Sequence, residues 1–547
     1  MYICFMMQKT FRYFLFGLGF VAVGLLLGFN LSKNNTNETD APVELSDNES
    51  FEKFQQAIGF IKQNYVKEVD QNELIDHAIK GVMDELDPHT FFISSSEMKA
   101  MDEQMRGEFD GIGVEFSILE DTIYVVSPLT GGPSEKLGIM AGDRIVKVDG
   151  EDVTGDVTNS DVMKHLKGPK GSEVLVGIVR RGVSEILDFN ITRDRIPLYS
   201  VNYAYMINDE IGYIQITRFS ETTYEEFHEK LVMLKEKGMK DLVIDLRGNP
   251  GGYMERAYQI ADEMLPAGKM VVSTKGRNPR NRQELISTSQ ISDFEQGGVI
   301  VLQDYGSASA SEIVAGAIQD HDRGLIAGVR SFGKGLVQIQ NKFRDNSAIR
   351  VVISEYYTPS GRCIQKPYDK TSEEYNDEIQ ERFESGEIYD PSKVEFPDSL
   401  KFTTANGRTV YGGGGIFPDV FIAPDTSGNS KYFASLSGRD LFRGFAYSYA
   451  DKHSELVKSY PDPSAFLKKF KVDQSLVNAF NQYAESHGVD FDEDGFTRSE
   501  RYIRNRIKAY IGRKLFKDDG FFPVFHEADN VIQRAVELMP QAREMVK

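Results

Sequence analysis

Twice in the middle of this chain, a short run of apolar residues ends in a turn of glycine and small polar residues and then continues with helical periodicity. Leu242-Val243-Ile244-Asp245-Leu246 leads through a glycine turn into a helical pattern from Tyr253 to Met264. Gly298 to Leu302 leads through Gly306-Ser307 into a helix whose apolar stripe is Ala310, Ile313, Val314, Ala317 and Ile318. An apolar strand without polar alternation needs cover on both faces, and a helix after each strand supplies it. Residues 201–425 are therefore read as a sheet with helices packed on it.

The flanking regions follow other rules. Residues 51–106 have helical spacing, with Phe54, Ala57, Ile58 and Ile61 and then Leu74, Ala78, Val82 and Leu86, until Pro88 stops the second helix. From 107 to 195 short strands alternate with glycine turns, at Gly111 to Phe116, Thr122 to Val126, Arg144 to Val148 and Val174 to Val179, with one helix at Asn159 to Leu166. This predicts a small β-rich module. Residues 366–412 are acidic and polar and read as a surface insertion. Residues 427–547 are mostly helical in pattern. The 547 residues are 40% hydrophobic and 27% charged, which excludes wholesale disorder and a multi-span membrane protein. A formal charge of −20 disfavours binding to nucleic acid backbones, and two cysteines exclude a disulfide framework and a four-cysteine zinc site.

Tyr13 to Phe29 is uncharged and apolar, preceded by Lys9 and Arg12. It is close to the shortest segment that spans a bilayer, and flanking basic residues stay cytoplasmic. The expectation is a cytoplasmic stub and anchor over 1–32 and a polar tether over 33–50. The bulk of the chain then lies across the membrane. A cleaved signal peptide is the rival reading, with no small-x-small site after the apolar run to support it.

Three segments carry chemistry. Gly306-Ser307-Ala308-Ser309-Ala310-Ser311-Glu312 opens a helix after a strand, where free N–H groups favour developing negative charge, as acyl transfer requires. A serine there can equally be an ordinary helix cap. Phe332-Gly333-Lys334-Gly335, with Gln338 four residues on, could present a desolvated lysine as a base toward a serine, or a solvated turn. Asp245-Leu246-Arg247-Gly248-Asn249-Pro250-Gly251-Gly252 could aim N–H groups into a cleft, or simply turn. Other motifs are incomplete. Gly328 to Gly335 lacks the hydroxyl residue of a phosphate loop, and Ser331-Phe332-Gly333-Lys334 has no Lys-Thr-Gly after it. His321 is three helical turns from Ser309, about 18 Å. Asp490 to Gly495 begins like a calcium loop but has Arg501 at its twelfth position.

Taken together, the segments resemble the carboxyl-terminal processing peptidases, or tail-specific proteases, over about Phe51 to Asp425. Further motifs are Leu86-Asp87-Pro88-His89-Thr90, Tyr357-Thr358-Pro359-Ser360-Gly361-Arg362 and Gly415-Ile416-x-Pro418-Asp419. The resemblance implies an α/β (α+β) multidomain fold: a crotonase- and Clp-like protease core over 196–426, an inserted PDZ domain and a helical C-terminal extension. It implies Ser309 as nucleophile, Lys334 as general base and Gln338 as its orienting partner. Ala310 and either Gly251 or Gly252 would form the oxyanion hole, and Asp320 would be structural. Gly111, Ile112, Gly113 and Val114 would bind a substrate's C-terminal carboxylate, with apolar tails preferred. No metal or cofactor is implied. The insertion and tail resemble those of members from Bacteroidetes-type bacteria. The rival function is a non-catalytic adaptor that binds protein tails through the PDZ module.

Overall fold

The computed structural model describes residues 48–119, 121–129, 131–180, 182–288, 293–368, 372–394, 396–453 and 455–546. The expected anchor and residues 33–47 of the tether lie outside them. No helix among the described residues is long and apolar enough to cross a membrane. The chain divides into two compact units, Met1–Ile79 and Lys80–Lys547. The described part of the first holds the helix Asn48–Asn64 and the opening turns of Gln71–Asp84, with Phe51, Phe54 and Phe60 exposed.

The second unit is organised around a six-stranded sheet. Its order is Tyr203–Met206, Ile211–Gln215, Asp241–Asp245, Val299–Gln303, Leu325–Gly328 and Val420–Phe421. The first pair is antiparallel and all later pairs are parallel. Asp241–Asp245 and Val299–Gln303 are buried at every position, as their unbroken apolar runs require. Helices Thr223–Glu236, Met254–Asp262 and Ala310–Asp320 contribute Leu231, Ile260 and Val314 to the core on one face. The other face is covered by the final helix, Asn530–Glu544. Its Ile532, Ala535, Leu538 and Met539 pack with Val243, Ile300 and Leu302 of the strands. The C-terminal extension was expected outside the common core; this helix is half of the sheet's cover.

A second sheet joins Phe91–Ile93, Ala348–Tyr357, Met270–Lys275 and Gln283–Ile286, with Leu336–Lys342 also paired to Ala348–Tyr357. The β-rich module is an antiparallel sheet in the order Val114–Leu119, Thr122–Pro128, Arg144–Val148, Glu173–Val179, Leu187–Thr192. It has its own core, including Ile123, Ile145, Val162, Val176 and Ile191. Glu108–Gly111 pairs with Asp194–Pro197, so the strands leading into and out of the module zip together.

The insertion lies largely at the surface, as read, but it is anchored in the core. Its helix Ser372–Glu384 buries Tyr375 and Arg382, each 3% exposed, and its hairpin Lys401–Thr403/Thr409–Tyr411 buries Val410. Part of the acidic composition that suggested solvent exposure is used in ion pairs with buried cations: Glu378 meets both Lys366 and Arg382.

Candidate active site

Strand Val299–Gln303 delivers the chain to a tight turn, and helix Ala310–Asp320 leaves it. Ser309 stands at the junction with φ 53° and ψ −109°. A non-glycine residue held there stores about 1–3 kcal/mol of strain, which the surroundings must over-determine. They do so through its neighbours. Ser307 Oγ donates to the Leu246 carbonyl at 2.8 Å, Ala308 N–H to the Asn249 carbonyl at 3.0 Å, and Ser311 Oγ to the same Asn249 carbonyl at 2.9 Å. Ser307 and Ser311 are each 1% exposed. From Ser307 to Asp320 every residue except Ser309 is buried. Of the three serines in the motif, two are bolted into the core and the middle one reaches the surface.

The lysine loop is fastened to this turn. Phe332 N–H donates to the Ser307 carbonyl at 2.9 Å. Glu312, fully buried in the first turn of the helix, accepts hydrogen bonds from Ser331 Oγ and from the N–H groups of Gly333, Lys334 and Ser309. The last two converge on one oxygen, Oε2, at 2.9 and 2.8 Å. Burial raises the Glu312 pKa, and these four donors act against it. The glycines flanking Lys334 are needed for close approach. A Cβ on Gly333 would lie 3.0 Å from the Gly415 nitrogen, and one on Gly335 would lie 2.8 Å from the Gln365 nitrogen.

Lys334 is half-buried, and its Nζ donates to Gln338 Oε1 at 3.0 Å. Gln338 lies in strand Leu336–Lys342, at a register shift between Val337 and Gln338 that re-aims the side chain. Its Nε2 donates to the His89 carbonyl, fixing which end of the amide faces the lysine. Burial lowers the Lys334 pKa, the Arg350 guanidinium lowers it further, and Glu312 opposes both. Among the described residues no hydrogen bond joins Lys334 Nζ to Ser309 Oγ. Their main chains are held together through Glu312 while the amine rests on Gln338.

The glycine turn meets the serine from the other side. A Cβ on Gly251 would lie 2.8 Å from Ser309 Cβ and 2.9 Å from the Ala310 nitrogen, and one on Gly252 would lie 2.1 Å from the Phe219 carbonyl oxygen. Gly251 and Gly252 have φ of 98° and 147°, so both positions demand glycine. Gly251 N–H donates to Asn249 Oδ1 at 2.9 Å. The N–H groups of Gly252 and Ala310 have no protein acceptor among the described residues.

In the β-rich module, Gly111, Ile112, Gly113 and Val114 precede and begin the edge strand Val114–Leu119, which pairs with a neighbour on one side only. The Ile112 carbonyl accepts from Ser134 Oγ at 2.6 Å, and Gly113 has φ 73° with a Cβ excluded by Ile196 at 2.9 Å. The loop shape is thus fixed by the core beneath it.

Glu312, Asn249 and His89 matter here although sequence reasoning gave them no role. Glu312 stands three residues after Ser309, the spacing of a helix capping box, and that was the available signal. Asp320 pairs with Arg362 at 2.7 Å, both fully buried, and accepts the Ser360 N–H. His321 stands at the far end of the helix from Ser309, where its Nε2 donates to the Met270 carbonyl at 2.6 Å. The calcium-like Asp492 caps helix Glu493–Phe516 by accepting the Gly495 N–H. His228, Glu263 and Asp293 bring three possible metal ligands within 4.8 Å, but Glu263 already accepts from Tyr224 and His228.

Family models match four stretches of the chain: peptidase family S41 over 210–371, a PDZ domain over 111–191, the N-terminal domain of the activating protease CtpB over 20–96, and a family of unknown function over 432–518. The chain is 38% identical over 310 residues to a carboxy-terminal-processing protease of Bartonella bacilliformis, covering 56% of this chain and 70% of that one. It is 36% identical to the carboxy-terminal processing protease CtpA of Bacillus subtilis, covering 58% and 67%. Among solved structures, the photosystem II D1 C-terminal processing protease aligns at 26% identity over 68% of this chain and 93% of that one, with a TM-score of 0.35. The chain belongs to the carboxy-terminal processing proteases, S41 peptidases with a PDZ domain.

Proposed function

We propose that this protease is a serine endopeptidase working through a Ser309–Lys334 dyad on protein C-termini. The observation that carries this reading is the convergence of the Ser309 and Lys334 main chains on one oxygen of Glu312, with the lysine amine partly withdrawn from water and held by Gln338. A neutral Lys334 takes the proton as Ser309 Oγ adds to the peptide carbonyl. The Ala310 N–H and the Gly252 N–H receive the oxyanion; Gly251, whose own N–H is engaged by Asn249, instead brings the turn against Ser309. Collapse expels the amine, which leaves with the proton from Lys334, and water then hydrolyses the acyl-enzyme by the reverse use of the same groups.

The PDZ module would take the substrate tail as an added strand on the edge Val114–Leu119, with its carboxylate at Gly111 to Val114 and apolar residues beneath it. Tyr13 to Phe29 would anchor the chain in the bacterial inner membrane with the catalytic part in the periplasm. Ser309→Ala is expected to lower cleavage of a protein with an apolar tail by at least about 10⁴-fold while leaving tail binding intact. Turnover equal to the parent would exclude Ser309 as nucleophile, and a parent that binds the tail without cleaving it would leave the adaptor reading.

A further inference from the structure

The insertion spans the two elements that hold the proposed dyad. At one end it reaches the lysine loop. Arg382 donates to the carbonyls of Ser331 and Phe332 at 2.7 and 3.2 Å, and Glu387 binds both Nε and Nη2 of Arg330 at 2.6 and 2.7 Å. At the other end it reaches the C-terminal end of the serine's helix. Arg408 pairs with Asp322 and donates to the Gln319 carbonyl at 3.0 Å, and Ala405 N–H donates to the Asp320 carbonyl at 2.9 Å. Between them Tyr375 closes a ring of hydrogen bonds around Lys334. Its hydroxyl sits 2.8 Å from His89 Nε2 and 3.3 Å from Gln365 Nε2; Gln365 Oε1 accepts the Gly335 N–H, and the His89 carbonyl accepts from Gln338.

We infer that residues 366–412 are a positioning brace for the catalytic base, with Arg382 fixing the path of the loop before Lys334 and Tyr375 fixing the orientation of Gln338 through His89. The inference rests on the Ser309–Lys334 reading and deepens it. Neither residue touches the reacting atoms. Arg382 is 3% exposed and each of its three guanidinium nitrogens has an acceptor in place, two carbonyls and Glu378. That fork matches the loop's main chain, which a flexible amine could not do. Lys366 adds rigidity: its Nζ lies 4.2 and 4.1 Å from the ring centroids of Phe332 and Tyr375 and donates to the Tyr375 carbonyl.

The test uses the full chain with Tyr375→Phe and Arg382→Gln, each purified beside the parent and Ser309→Ala. Cleavage of labelled casein and labelling of Ser309 by a fluorophosphonate are followed across pH, with a thermal melt for each variant. The expected result is a fall in kcat of about 10- to 100-fold with KM changed by less than about twofold, the signature of a displaced catalytic group. The acidic limb of the labelling profile moves to higher pH, because a loosened loop lets water reach Lys334; a merely structural role would not move it. Variants that melt like the parent and keep its kcat and its acidic limb overturn the inference. If Ser309→Ala still cleaves casein and the parent takes no label at Ser309, the dyad itself is wrong, which is a different failure. A variant that melts early is assayed below its own transition, where the pH limb of the folded fraction decides between the same two outcomes.

Discussion

At the scale of single residues, the proposed dyad is one strained and one desolvated group held by ordinary ones. Lys334 is the clearest case. Burial and Arg350 hold its pKa below the ordinary lysine value, so the folded chain binds fewer protons than the unfolded chain between those two pKa values. Stability therefore rises with pH across that window, and below it the cost of the buried charge is fully present. Lys334→Met is expected to raise the melting stability by about 1 kcal/mol at neutral pH, with the gain shrinking as pH approaches the ordinary amine value, while cleavage is lost. A melting series from pH 6 to 10 checks the sign. Arg350→Gln removes the neighbouring cation, so Lys334 holds its proton more tightly. The acidic limb of kcat/KM is expected to move up, and a pH profile with an unmoved limb would refute Arg350's influence. Ser309, Lys334 and Gln338 stand out in the sequence as candidates because helix starts, glycine-flanked turns and strand spacing are local signals. The sequence left Gly251 and Gly252 as alternatives, because which N–H is engaged within the protein depends on where the Asn249 amide points. It was silent on Glu312 as a hub, because three of the hydrogen bonds Glu312 accepts come from residues 19 to 22 positions away.

At the scale of elements, strands and helices with unbroken local patterns fall where the periodicity puts them: Arg144–Val148 and Asn159–Leu166 match the reading residue for residue. The second helix of the core was read from Tyr253 to Met264 and runs Met254–Asp262, a difference of terminal turns. What the pattern could not disclose was partnership. The final helix is amphipathic whether it covers its own domain or another, and only the assembled sheet shows a bare face for it. Ile532→Ala, at a fully buried position of that helix, is expected to cost about 2–5 kcal/mol. A thermal melt would show it, and a loss below about 0.5 kcal/mol would mean the helix is a loose cover. The anchoring of the insertion was hidden for a related reason. Its acidic composition is the same for a solvated loop and for a buried network, and the difference lies in cations contributed by Arg330, Lys366 and Arg382.

At the scale of the whole molecule, the helical extension also reaches the PDZ module. Arg513 pairs with Glu115 at 2.9 Å, Arg443 Nη2 donates to Ser117 Oγ at 2.9 Å, and a cavity of about 710 Å³ lies along the seam beside Tyr124 and Tyr447. Both Glu115 and Ser117 belong to the edge strand Val114–Leu119, the one proposed to take substrate tails. Arg443→Ala with Arg513→Ala is expected to raise hydrogen exchange in Val114–Leu119 and leave Val299–Gln303 unchanged; exchange in Val114–Leu119 no faster than in the parent would show that the seam does not restrain the strand. Such a contact joins positions almost 400 residues apart and has no trace in local pattern. Glu312 limits what control from that distance can accomplish. Because one carboxylate oxygen grips the main chains of both serine and lysine, peeling them apart would strand an ionisable group in the core with three of its four donors gone. A dormant form of the proposed dyad that keeps this junction intact would differ from a working one in side-chain torsions and not in the path of the main chain. Its activation would then be a swing of one amine from Gln338 toward the hydroxyl, a throw of a latch with the door frame left standing.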